Sequence, residues 1–261
     1  MITPSTTSRL IVRQFDNRTQ LGEAAAGAVA NRMRALLAQQ DTINMIFAAA
    51  PSQQEFLTGL CSQPDLDWGR VNAFHMDEYV QLPHNAPQRF GNFLKIRLFD
   101  RVSFRTINYL DGNRLDSAEE CARYGRLLHQ NPVDIVCMGI GENCHIAFND
   151  PHVADFNDPV PVKVVDLDMA CRQQQVNDGC FDRLEEVPTH ALTLTIPALM
   201  QVPHVFCMVP GRNKAPAVFH TLNTAVSETY PSTILRWHNN AILFIDSDSA
   251  GQLAPIKPID H

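Results

Sequence analysis

Several absences narrow the reading of this chain. No apolar run approaches the about 18 residues a helix needs to cross a bilayer, and the opening "MITPSTTSRLIVRQF" lacks the basic start and apolar stretch of a secretion signal. No basic stripe is present. The net charge is −7, so nucleic acid and anionic membrane surfaces fit poorly as partners, and an anionic ligand would need a local cluster of basic groups. No C-x-x-C pair occurs among the seven scattered cysteines, which argues against zinc-finger and disulfide frameworks. No internal repeat, low-complexity tract or linker interrupts the chain. These absences predict a soluble protein of a reducing cytoplasm, without membrane or nucleic-acid partners.

What is present is a regular alternation. At 261 residues and 45% hydrophobic composition, the chain can bury one sizeable core. "RLIVRQF" reads as a strand. The helix that follows carries Leu21, Ala25, Val29, Met33, Leu36 and Leu37 on one face. "INMIFAAA", "VDIVCMGIG" and "VPHVFCMVPG" are short apolar runs of the kind buried parallel strands show. "PVKVVDL", "HALTLTIPALM" and "NAILFID" add further strands, the second running into a helix. "PSQQEFLTGLCSQ" predicts a turn into a helix, with Ser52 as N-cap and Glu55 at capping-box spacing. "NFLKIRLFDRV" and "SAEECARYGRLLHQ" read as helices, the latter from a Ser-x-x-Glu start. The expected fold is α/β: a single domain over residues 1–261, with a mostly parallel, doubly wound sheet and helices on both faces. Residues 149–161 are the least regular stretch and fit a loop or lid.

Three stretches carry candidate chemistry. "FHMDEYVQLP" (74–83) reads as a strand entering a polar loop, where Asp77 and Glu78 are either an acidic cap or a carboxylate at the ligand edge acting as general base. His75, flanked by Phe74 and Met76, reads as a core histidine. "GIGENCHIAFNDP" (139–151) follows a strand. Gly139 and Gly141 allow a sharp turn and close approach of a ligand, and Asp150, five residues after His145, could fix its tautomer. The residues alone leave His145 open between a structural and a catalytic role. "VPGRNKAPAV" (209–218) places Arg212 and Lys214 at a helix start, a natural anion site, or else on a solvated turn.

In order along the chain, "FHMDEYVQLP", "GIGENCHIAFNDP", "VPTHALTLTIPAL", "VPGRNKA" and "PSTILRWHNNAILFID" resemble the glucosamine-6-phosphate deaminase/isomerase family, which shares its fold with 6-phosphogluconolactonases. The resemblance implies that Asp77 moves a proton between C2 and C1 of an amino-sugar phosphate. It implies that His145 opens the sugar ring and that Asp150 orients it. Lys214 would hold the phosphate, with Ser52, Gln53, Gln54, Gly141 and Arg212 around the ligand. No metal or organic cofactor is implied, and a homo-oligomer stays open. The lactonase branch carries an Asp-Glu-Arg loop, whereas Tyr79 follows Asp77 and Glu78 here.

The chain departs from the family pattern at four points. Gln53 and Gln54 replace the glycines of the phosphate turn. Asn143 stands where the family has an aspartate, and Cys144 where it has a glycine. Gly179 stands about where a phosphate-binding arginine is expected, with Arg172 or Arg212 as candidate substitutes. These changes are compatible with an altered or slow enzyme acting on glucosamine 6-phosphate or galactosamine 6-phosphate, with a 6-phosphogluconolactonase-type hydrolase, or with a non-catalytic sugar-phosphate sensor. Thiol chemistry at Cys144 is a further alternative. The catalytic reading requires Ser52, Asp77, His145 and Lys214 to meet at one sheet edge, with an anion held between "APSQQ" and "GRNK" by Ser52, Lys214 and the backbone N–H groups near Gln53 and Gln54.

Overall fold

The protein is described by a computed structural model covering residues 9–254. The opening segment read for a secretion signal lies, through Ser8, outside the described residues, as do both ends of the proposed 1–261 domain. No described helix is long and apolar enough to cross a membrane.

Seven strands pair in the order β1-β10-β9-β6-β2-β3-β5: Ile11–Phe15, Ala241–Asp246, His204–Val209, Ile135–Met138, Ile43–Phe47, Val71–His75 and Thr106–Asn108. Every pairing in this sheet is parallel. The chain winds outward from β2 to β3 and β5, returns to β6 on the other side of β2, and winds outward again through β9 and β10. The strand order therefore reverses between β2 and β6, which places the ligand crevice beyond their C-terminal ends.

The central strands are apolar because both faces are covered. Ile43, Met45 and Phe47 of β2 feed one core, which α1 (Arg18–Leu37), α2 (Gln54–Cys61), α3 (Phe90–Leu94) and α5 (Met169–Asn177) cover. Ile46 of the same strand points to the opposite core, covered by α4 (Ser117–Gln130), α6 (Ile196–Met200) and α7 (Ala215–Asn223). Two sequence expectations need correction. Ser52 is not an N-cap. Residues 51–53 form a 3-10 turn, the cap position of α2 falls on Gln53 without a side-chain bond, and Glu55 pairs with Arg18 at 2.7 Å. In α4 the capping oxygen belongs to Asp116, one residue before the expected serine.

The larger correction concerns "DEYV". Asp77–Tyr79 is not a polar loop but a short buried strand, β4, at the edge of a second sheet. It pairs antiparallel with β8 (His190–Leu194), which pairs antiparallel with β7 (Val162–Asp166). The Glu78 carboxylate accepts the N–H groups of Tyr79, Phe90 and Gly91 at 2.9–3.1 Å, tying β4 to the start of α3. Burial pushes the Glu78 carboxyl up to about 7, against the pull of those three donors and of Arg89. His75 is fully buried between Asp77 O and Leu110 N, as a core histidine, and burial depresses its imidazole to about 4.

Glu78→Ala strands the Phe90 and Gly91 donors in the interior and should destabilise the protein by about 3 kcal/mol in urea denaturation, with Glu78→Gln costing less because it keeps an acceptor.

Candidate active site

A cavity of about 610 Å³ opens at the predicted edge. The loops leaving β2, β3, β6 and β9 line it with Ser52, Gln53, Asp77, Gly139, Gly141, His145 and Lys214. The four residues expected to converge do converge. They come from four separate strand ends because parallel strands deliver all their exit loops to one side.

Asp77 is 7% exposed, and no hydrogen bond to its carboxylate occurs among the described residues. Burial, with Glu78 as a negative neighbour, raises its carboxyl well above the ordinary aspartate range. A carboxylate left free at a cavity wall and made more basic by desolvation is suited to accepting a proton.

His145 is held by its own loop. Gly141 N–H donates to the His145 carbonyl and Gly141 O accepts from Cys144 N–H, so the chain doubles back. The imidazole then lies across Gly141, where a Cβ would sit 2.3 Å from two ring atoms. This close approach is what requires a glycine at 141. Cys144 and Ala147 adopt left-handed conformations, φ +71° and +48°, at positions with a Cβ. Such strain is typical of functional loops. Nδ1 lies 2.9 Å from Asp150 Oδ1. Asp150 is fully buried. Burial pushes its carboxyl up, but His145, the Asn143 amide and Asp168 N–H outweigh burial and hold it below the ordinary range.

Asn143 proves to be a bridge. Its carbonyl oxygen accepts His145 N–H, and its amide donates to Asp150 at 3.0 Å and Asp168 at 3.2 Å. Asp168, the N-cap of α5, thus sets a carboxylate against the Asn143 amide; the sequence reading overlooked it along with that helix. The His145, Asp150 and Cys171 ligand-type atoms lie within 4.8 Å of one another, as do those of Asp150, His152 and Asp168. A metal takes cysteine as thiolate. Burial, together with Asp150 and Asp168, keeps the Cys171 thiol protonated.

Lys214 is 4% exposed and lines the cavity. Burial lowers its ammonium pKa against the opposing pull of Asp178 and Glu142. Arg212 does not join it. Its side chain is 90% exposed and reaches toward Asp248, outside the cavity lining. The expected phosphate turn is also altered. Gln53 N–H donates to Ala50 O and Gln54 N–H to Pro51 O, so neither backbone donor is free. Gln53 is buried, and its amide donates to Met208 O and Ser52 Oγ. Gln54 lies outside the lining and bonds to Thr58 and Arg97. Arg172 lies outside the cavity lining and turns one terminal NH2 group to the carbonyls of Leu184 and Val187. Arg97, which does line the cavity, was missed because only its fold neighbours mark it. Cys144 packs in the core with α7, where burial raises its thiol to about 11, so thiol chemistry has no support there.

Residues 16–244 match the family described as glucosamine-6-phosphate isomerases/6-phosphogluconolactonase. The chain is 39% identical over 184 residues to a glucosamine-6-phosphate deaminase of Bacillus thuringiensis (strain Al Hakam), covering 70% of this chain and 68% of that relative. The same figures hold for a glucosamine-6-phosphate deaminase of Bacillus cereus (strain AH820). Among solved structures, a monomeric glucosamine-6-phosphate deaminase superposes with TM-score 0.84 at 24% identity, over 93% of this chain and 99% of that one. A 6-phosphogluconolactonase from Thermotoga maritima gives TM-score 0.74 at 19% identity, over 91% and 99% of the two chains. The two structures establish a shared fold.

Gly141→Ala should push the imidazole off Asp150. The Asp150 carboxyl then titrates higher than in the native protein by carboxyl NMR, and the overpacking costs about 1–3 kcal/mol.

Proposed function

Because the chain belongs to the family of glucosamine-6-phosphate isomerases and 6-phosphogluconolactonases, we propose that it is a deaminating aldose–ketose isomerase, converting glucosamine 6-phosphate and water to fructose 6-phosphate and ammonia, or acting likewise on the galactosamine 6-phosphate equivalent. The observation that carries this reading is the pairing, across one cavity, of a free, desolvated Asp77 with a separate His145–Asp150 couple. The reaction needs two such groups. His145 moves the proton that opens the pyranose to the free aldose. Asp77 takes the proton from C2, giving an enolamine, and returns it to C1, giving a 2-imine. Water adds to that imine and ammonia leaves, so atoms balance without a redox partner. One carboxylate can serve C2 and C1 because both lie on one face of the open chain. Lys214 supplies charge for the phosphate. The same proposal covers a single domain working in the cytoplasm on a small phosphorylated amino sugar, without cofactor or nucleic acid.

A sensor reading draws support from Gln53, which occupies the turn beside Gly139. It leaves the basic Asp77 without a purpose, so the two readings part on turnover. The lactonase reading lacks the arginine after Glu78.

Three outcomes test the enzyme. Wild type releases ammonia and ketose phosphate, and Asp77→Asn abolishes both while phosphate-dependent binding persists; binding without either product in wild type leaves the sensor. The acid limb of kcat/KM lies well above the ordinary aspartate value of about 4, because the base must be ionised and its carboxyl is raised. Lys214→Ala weakens substrate binding by about 1.5–3 kcal/mol in calorimetry, with the fold checked by circular dichroism.

A further inference from the structure

Several groups that would ordinarily hold a phosphate are already committed in this protein. The Gln53 and Gln54 backbone N–H groups are used inside the 51–54 turn. Gln53 fills the space beside Gly139, where a Cβ would come within 3.0 Å of its amide nitrogen. Arg172 is committed to carbonyls, and Arg212 lies at the surface. Position 179 is a glycine, with nothing within 4 Å of where its Cβ would be. Lys214 shares the lining with Asp178, Asp182 and Glu186. A dianionic phosphate near those carboxylates needs a second cation.

Arg97 is the other Lys or Arg among the described residues of the lining. It sits in the π-helical turn Lys95–Phe99 that continues α3, a helix distortion often found at functional sites. Its guanidinium lies 4.0 Å from the centroid of the Phe93 ring, and Phe93 lines the cavity as well. Its Nε donates to Gln54 Oε1. That bond uses one of five donors and fixes the plane of the fork, leaving the two terminal NH2 groups for a ligand. Gln54 thus has a use as a residue it could not have as a glycine: it braces an arginine from 43 residues away.

We propose that Arg97, stacked on Phe93 and braced by Gln54, is the arginine that binds the substrate's phosphate, together with Lys214. Relative to the arginine the family resemblance leads one to expect at Gly179, just past α5, this anchor lies in the π-helical turn after α3, and the two glutamines of the turn fit that placement. Gln53 closes the old backbone cradle, and Gln54 positions the new guanidinium. This assignment rests on the sugar-phosphate reading above, and it predicts selectivity for a phosphorylated sugar through the Arg97 and Lys214 side chains.

Wild type, Arg97→Met, Arg97→Lys and Gln54→Ala are compared for turnover of glucosamine 6-phosphate and for binding of inorganic phosphate by calorimetry. Arg97→Met keeps the apolar stem over Phe93 and removes the charge; Arg97→Lys keeps the charge and loses the fork, and serves if the Met variant does not fold. For Arg97→Met, KM should rise roughly 10- to 100-fold with kcat within about threefold, and phosphate affinity should fall by a similar factor. Arg97→Lys should fall between. Gln54→Ala, a change at a positioning residue, should shift KM and phosphate affinity in the same sense by less, with kcat and melting temperature unchanged. Wild-type phosphate affinity and KM in both Arg97 variants would overturn the assignment. If wild type turns over no hexosamine phosphate yet binds phosphate through Arg97, the enzyme reading fails and the anchor stands. If wild type neither turns over a hexosamine phosphate nor binds phosphate, both fall.

Discussion

Parallel pairing of β2 with β6 is the constraint on which the site depends. Met45 faces Ile135, Ile46 faces Val136 and Phe47 faces Cys137, so both strands end at one level and their loops leave on the same side. Because the chain turns opposite ways from these two strands, no crossover helix fills the crevice between their exits. The 3-10 turn with Ser52 and Gln53 borders it on one side, and the Gly139–His145 loop on the other. Antiparallel neighbours would have sent one of these loops to the far end of the molecule.

The second constraint is how the fold keeps charge out of water. Asp77, Glu78, Asp150 and Lys214 are all buried. Each buried charge needs partners or shifts its pKa. Glu78 and Asp150 have partners: three backbone N–H groups for one, and His145, Asn143 and Asp168 for the other. Among the described residues Asp77 and Lys214 have no such partners and line the cavity, with their pKa values moved in opposite directions, both toward the neutral form. Paired groups of this kind maintain geometry, whereas the unpaired ones are available to a ligand. β4 joins the two kinds, since the clamp on Glu78 holds the strand that carries Asp77.

Several sequence readings were sound because they rest on local rules. β2, β6 and β9 are apolar runs because both their faces are covered, and α1 shows its stripe because one face is. Others failed where the deciding partner is distant in sequence. Asp-Glu-Tyr reads as polar loop, yet Thr193, Leu192 and Ala191 pair with it and bury it. Ser52 has the spacing of a cap, but Pro51 starts a 3-10 turn and moves the cap position to Gln53. Asn143 reads as a lost charge until Asp168 is placed beside it.

The sequence by itself determined the α/β order, the loops that could carry ligand chemistry, and the family, because apolar periodicity and the motifs around Asp77 and His145 are written in contiguous residues. Which polar groups remain free follows from packing alone. Whether Gln53 N–H can meet a ligand depends on a carbonyl it already bonds. Whether Arg97 or Arg212 faces the cavity depends on Gln54 and Phe93 for one and on solvent for the other. Competition among donors and acceptors far apart in the chain is settled when they are brought together and water is removed, and no local pattern records its outcome.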